Sequence, residues 1–165
     1  MLEILEADPK HPNHAQAILT LLDEYARDPM GGGQGLSEFV KQNLPKTLAQ
    51  RSDVYIILAF VQGEAAGLAI CFEGFSTFAC QPLLNIHDIV VSQPYRGQGL
   101  SKKLLQQAET IARRLGCCKL TLEVLEGNAI AQAAYQSSGF SGFQLDPAMG
   151  NALFWEKKLS CDANP

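Results

Sequence analysis

Hydrophobic and polar positions follow two rhythms along this chain, and the change between them is sharpest in residues 83–115. Leu84-Asn85-Ile86-His87-Asp88-Ile89-Val90-Val91 is a short apolar run rich in β-branched residues, which predicts a buried strand. Ser92-Gln93-Pro94-Tyr95 ends it, because proline has no N–H to give a sheet ladder. Beyond Arg96-Gly97-Gln98-Gly99 the spacing becomes three and four. Leu100, Leu104, Leu105, Ala108, Ile111, Ala112 and Leu115 make one apolar stripe, with Lys102, Lys103, Gln106, Gln107, Glu109 and Arg113 opposite it. Gly116 suits the position just past the helix end.

The same reading extends to the rest of the chain. Leu2 to Leu5 predicts a first strand, and Ala15, Ile18, Leu19, Leu22, Tyr25 and Ala26 a helix that stops near Asp28-Pro29. His11 and His14 read as surface residues beside the start of that helix. Met30-Gly31-Gly32-Gly33-Gln34-Gly35 reads as the most flexible stretch and, from the residues alone, as a helix–helix connector. Ser37 is placed to cap a second helix carrying Val40, Leu44 and Leu48, which Pro45 is expected to kink or split at a cost of ~3 kcal/mol. Val54 to Val61 and Ala65 to Phe72 predict an antiparallel pair turned at Gln62-Gly63-Glu64. The segment from Glu73 to Leu84, with Phe75 and Phe78, reads as a hairpin end that lines a pocket, makes a dimer contact, or lies in the core under a long loop. Lys119 to Leu125 predicts another strand and Ala129 to Ser138 a short helix, capped by Asn128 and closed by Gly139. Phe140 to Leu145 and Leu153 to Lys158 read as a closing strand pair, and Ser160 to Pro165 as a frayed tail.

A strand that feeds a glycine-bearing turn and then a helix can hold phosphate. The first backbone N–H groups of a helix have no internal partner, and the helix dipole adds partial positive charge there. Glycines let an anion approach those groups, and Arg96 offers forked contacts to phosphate oxygens. An ordinary tight turn is the plainer reading. The chain holds no G-x-x-x-x-G-K-[ST] loop, and Lys102 stands where a dinucleotide G-x-G-x-x-G would need its third glycine.

Composition narrows the class. At 165 residues and 47% apolar, the whole of 1–165 is expected to form one domain with a real core. No apolar run reaches about eighteen residues, and Met1 to Glu6 lacks a signal peptide's basic and apolar segments, so no membrane partner is expected. The net charge of −4, without a basic block, argues against nucleic acid and is compatible with a cationic acceptor. Five cysteines (Cys71, Cys80, Cys117, Cys118, Cys161) without a C-x-x-C pair suit a reduced cytoplasmic protein with no metal site.

Val90-Val91-Ser92-Gln93-Pro94-Tyr95-Arg96-Gly97-Gln98-Gly99-Leu100-Ser101 closely resembles the acetyl-coenzyme A signature of the GNAT superfamily of N-acetyltransferases, Arg/Gln-x-x-Gly-x-Gly/Ala. Arg96, Gly99 and Ser101 take its marked positions, Ser101 replacing the usual Gly or Ala. Asn128, Ala131, Tyr135, Gly139 and Phe140 match a second family pattern, Asn-x-x-Ala-x-x-x-Tyr followed by Gly-Phe. The resemblance runs from about Val54 to Leu159. It implies a GNAT-like α/β (α+β) fold, a mixed, mostly antiparallel sheet flanked by about four helices. It implies acetyl-CoA as co-substrate, with Arg96, Gly97, Gln98, Gly99, Leu100 and Ser101 at the pyrophosphate. Ile89, Val90 and Val91, freed by a β-bulge, would bind the pantetheine, and Asn128, Ala131 and Tyr135 would bind the thioester end.

Tyr135 lies seven residues after Asn128, on the same helix face. A phenol with an ordinary pKa near 10 is a proton donor at neutral pH, which suits a general acid for the departing thiolate. A core tyrosine anchoring the helix is the alternative. His87 and Asp88 are the candidate bases toward the amine, with Glu73 and Glu123 behind them; a hydrogen-bonded strand histidine is the plainer reading of His87. Ideal alternation puts His87 and Asp88 on opposite faces, and a bulge would change that. The function implied is acetyl transfer from acetyl-CoA to a primary amine of a small molecule or peptide, by direct attack in a ternary complex. A non-catalytic acyl-CoA-binding module, another acyl group, or a hydroxyl acceptor are the rival readings. Folds of this kind commonly form homodimers, and the connection between their first two helices borders the acceptor pocket, so the resemblance implies that Met30 to Gly35 is a lip over it where the residues alone give a plain connector.

Overall fold

The computed structural model describes residues 1–159; residues 160–165, including Cys161 and the expected tail, lie outside the described residues. The elements run β1 (Leu2–Glu6), α1 (Pro12–Arg27), α2 (Glu38–Ala49), β2 (Val54–Val61), β3 (Glu64–Ser76), β4 (Gln81–Val91), α3 (Leu100–Arg114), β5 (Leu120–Leu122) and α4 (Ala129–Ser137), with single 3-10 turns at Pro29–Gly31, Gln93–Tyr95 and Pro147–Met149. The strands form one sheet in the order β1-β2-β3-β4-β5. Every pairing is antiparallel except β4 with β5, which is parallel. A parallel neighbour needs a long crossover, and α3 supplies it.

Each face of the sheet carries its own core. Ile56, Leu58, Leu68, Ile70 and Val90 face α1 and Leu48 of α2, where Ile18, Leu21 and Leu22 are buried. Ile57, Ala69, Cys71, Leu84 and Ile86 face α3, which buries the six apolar residues from Leu100 to Ala112 in its stripe. Continuous apolar strands such as β2 suit a sheet covered on both sides. Gln62 (φ 53°) and Gly63 (φ 86°) form the two-residue left-handed turn that matches the twist of β2 and β3. Gly116 (φ 71°) ends α3 as expected.

The structure departs from the sequence expectation in three places. α2 runs unbroken through Pro45, so proline costs one N–H bond there without splitting the helix. β5 spans only Leu120–Leu122, shorter than the stretch from Lys119 to Leu125. The closing strands do not form: residues 141–159 are exposed coil around the turn at Pro147–Met149. Leu153-Phe154-Trp155 puts three large apolar residues in a row, which local propensity favours as a strand. A strand also needs a paired neighbour, and β5 offers only three residues.

Candidate active site

The cleft begins where β4 leaves β5. Their pairing covers only Leu84–Ile86 against Leu120–Leu122. In the next step the β3–β4 register passes from Cys71↔Ile86 to Ile70↔Asp88, so His87 is the extra residue of a β-bulge. Regular alternation would set Asp88 and Val90 on the face of Ile86. The bulge instead returns Ile89 and Val91 to the α3 side and turns Val90 toward α1. Ile89–Val91 pair with Ala69, Leu68 and Gly67 of β3. On their other side no described strand follows, and that edge borders a cleft of about 480 Å³.

Past the strand, the chain is built to leave N–H groups free. Ser92 is buried and donates its N–H to Ala66 at 2.9 Å; Tyr95 N–H donates to Ser92 and Arg96 N–H to Gln93. Gly97 and Gly99 both sit at φ 76°, where glycine alone is at ease, and Gly99 is the N-cap of α3. The first bond of the helix runs from Lys103 N–H to Gly99 C=O. The N–H groups of residues 97–102 find no acceptor among the described residues, and no acidic side chain stands in the first turn. Such a ring of donors at a helix N-terminus attracts an anion. The Arg96 guanidinium, expected to fork onto phosphate, instead donates from Nε to the Val91 carbonyl (3.0 Å) and from Nη2 to Asp28 Oδ2 (3.2 Å). Gln98 turns back onto the Pro94 carbonyl (3.2 Å) and does not line the cleft.

The opposite wall is α4. Asn128 caps it by accepting the Ala131 N–H at 3.2 Å, which leaves the side-chain amide N–H groups of Asn128 available. Ala131, Ala134 and Tyr135 line the cleft from successive turns. Burial, and after it the neighbouring Tyr25, pushes the Tyr135 phenol up to about 12. Its ring leans on Phe140, with centroids 6.1 Å apart. Tyr135 also borders a second cavity of about 470 Å³ between β5, α4 and residues 140–144.

A sequence model of the acetyltransferase (GNAT) family matches residues 16–140, more than half of the chain. The chain belongs to that family. It is 26% identical over 149 residues to a thialysine N-epsilon-acetyltransferase of Caenorhabditis elegans, covering 85% of this chain and 91% of that one. A streptothricin acetyltransferase of Streptomyces lavendulae is 38% identical over 90 residues, 54% of this chain and 48% of its own length. Among solved structures, a probable acetyltransferase superposes with a TM-score of 0.78 at 23% identity, over 95% of this chain and 99% of the other. The aminoglycoside N-acetyltransferase AAC(6')-Iy in complex with CoA superposes at 0.72 and 16% identity, over 96% of each chain. The protein is therefore an acetyl-CoA-dependent N-acetyltransferase with the GNAT fold.

In this GNAT domain the expected residues Ile89–Val91, Arg96, Gly97, Gly99, Leu100, Ser101, Asn128, Ala131 and Tyr135 all line one cleft. His87 and Asp88 do not. The bulge sets them side by side, with His87 Nδ1 and Asp88 Oδ2 3.1 Å apart, and the exposed His87 ring meets Phe72 edge-on at 5.5 Å. Asp88 stands close enough to Tyr25 to help raise its phenol, after burial and ahead of Asp28. Sequence reasoning missed Tyr25 and Asp28, which the end of α1 brings to the cleft, and Met30, from the stretch read as a connector or a lip, lines it as well. Tyr25 brings a hydroxyl into the last turn of the α1 stripe, the only local hint, and the β4, turn and α4 residues that it joins in the cleft lie over sixty residues away.

Proposed function

We propose that the protein moves the acetyl group of acetyl-CoA to a primary amine of a small molecule or peptide, by direct attack within a ternary complex. The observation that carries this reading is that three kinds of group meet in one cleft: the turn of free N–H groups at 97–102, the one-sided edge of Ile89–Val91, and the alanine face and phenol of α4. Those are the groups that a pyrophosphate, the pantetheine amides and a thioester call for. The N–H ring, more than the committed guanidinium of Arg96, meets the pyrophosphate; Arg96 retains donors beyond the two it uses. Ile89–Val91 hydrogen-bond the amides, and Asn128 steers the thioester end.

In the transfer, the amine nitrogen forms a bond to the thioester carbon and the C–S bond breaks, leaving the sulfur with the electron pair. Tyr135 is the donor to that sulfur. Its pKa of about 12 keeps it protonated across the physiological range. Beside a thiol of ordinary pKa near 8.5, so weak an acid stabilises the developing thiolate chiefly through its hydrogen bond. The amine's surplus proton leaves through water or the His87–Asp88 pair, which shares the bulged strand with Ile89. Cys71 is buried with its thiol pushed up to about 12, and no cysteine among the described residues lines the cleft, which supports direct attack over an acyl-enzyme. A purely acyl-CoA-binding module would need the N–H ring but not the phenol; Tyr135 favours the enzyme.

Thermal-shift titration with acetyl-CoA, CoA and NAD, followed by thiol release against a panel of amines, tests the reading. Cofactor at 100 times its Kd adds about 2.7 kcal/mol, a rise of roughly 5–10 °C for a chain of this size. Stabilisation by both CoA species and not by NAD, with thiol release on an amine, is the expected result. Absence of any shift at saturating CoA overturns it.

A further inference from the structure

The C-terminal end of α1 reaches across to the cofactor turn through two carboxylates that the reaction itself does not use. Glu24 Oε1 accepts the Gln93 N–H at 2.8 Å. Asp28 divides its two oxygens between two loops. Oδ2 accepts from Arg96 Nη2 at 3.2 Å, and Oδ1 accepts the Met30 N–H at 2.9 Å. The main-chain carbonyl of Asp28 also takes the N–H groups of Gly31 (2.8 Å) and Gly33 (3.1 Å). At its far end the connector is held again, by Asp23 Oδ1 accepting the Leu36 N–H at 2.8 Å. The Met30 N–H, with Arg96 behind it, keeps the Asp28 carboxyl below its usual range, so the bridging form is the charged one.

Arg96 continues the line, because its Nε holds the carbonyl of Val91, the last residue of β4. One chain of contacts thus runs from Met30 in the connector, through Asp28 and Arg96, to the strand end and the turn whose free N–H groups face the cleft. We propose that Asp28 is a positioning residue that ties the 29–36 connector to the cofactor turn. Occupation of the turn by CoA then orders the connector whose Met30 lines the same cleft, and the cofactor prepares the wall that an acceptor meets. As an exposed ion pair, Asp28–Arg96 contributes little stability. Its effect is to make the order of one loop depend on the other. This inference rests on the acetyl-CoA reading, and its test separates the two.

Hydrogen exchange of the full chain with and without saturating CoA, followed at residues 29–36 and 97–102, reads both segments at once. Wild type is expected to slow in both, by about tenfold at 29–36. Asp28→Asn keeps the size of the side chain and an oxygen for the Met30 N–H but loses the charge that holds Arg96. It should retain the protection at 97–102 while protection at 29–36 falls below about twofold. Asp28→Glu, which restores the charge, should recover most of the effect. Equal protection of 29–36 in wild type and Asp28→Asn overturns the proposal, as does a wild-type connector indifferent to CoA. If CoA protects neither segment in the wild type, the cofactor reading fails and the coupling fails with it.

Discussion

Tyr135 is a residue whose context, more than its type, decides what it can do. The phenol is held at about 12 by burial, so it stays neutral and able to donate at any physiological pH. Tyr135→Phe removes that donor and leaves the ring packed on Phe140. Turnover should fall about 10²-fold, within the range of one general-acid or oxyanion contact, with CoA affinity by calorimetry nearly unchanged. Equal loss in both would assign Tyr135 to binding; no loss in either would remove it from the chemistry. The same burial has a consequence for stability. Tyr135 and Cys71 both have folded pKa values near 12, above their ordinary 10.0 and 9.0. Each binds its proton more tightly folded than unfolded, so their contribution is complete below pH 9 and is lost as pH rises toward 12. Urea midpoints should be flat with respect to these groups near neutrality and fall between pH 9 and 12. Cys71→Ala should shallow that fall, and an unchanged slope would show that Cys71 does not contribute.

At the scale of elements, β4 shows how one inserted residue shapes a site. His87 lets Ile86 and Ile89 share the α3 face while Asp88 joins Val90 on the other. Deleting His87 would leave that facing intact, because Ile86, Asp88, Ile89 and Val90 then alternate regularly. The fold should survive, with circular dichroism unchanged. The local bend and twist of the bulge would go, and with them the separation of β4 from β5 that opens the cleft. CoA binding should weaken at least tenfold in that variant, and retention of wild-type affinity would show that the bulge does not make the cleft. α2 and residues 141–159 carry the opposite lesson about reading elements from sequence. A proline inside α2 reads as a break, yet one missing N–H is tolerated once Leu48 packs against the sheet. The apolar runs after Phe140 read as strands, yet propensity without a paired neighbour makes none among the described residues.

At the scale of the whole molecule, the chain itself determined whatever is local. The strand, turn and helix at 83–115 were legible because their signals are neighbours in sequence: a β-branched run, Pro94, two glycines, and a stripe at helical spacing. The α4 cap at Asn128 and the phenol two turns on were legible for the same reason. Most of the cleft wall was therefore in view from the residues, together with the family they resemble. Tertiary structure decided what depends on pairing and packing between distant segments. It set the register that makes His87 the bulge and puts Asp88 beside it. It drew the Arg96 guanidinium onto Asp28, 68 residues earlier, and left the turn's own N–H groups facing the cleft. It brought Tyr25 to within electrostatic reach of Tyr135. Local free energies are written in short windows of sequence, whereas these contacts arise only when two core faces close on one sheet, and no window holds both partners.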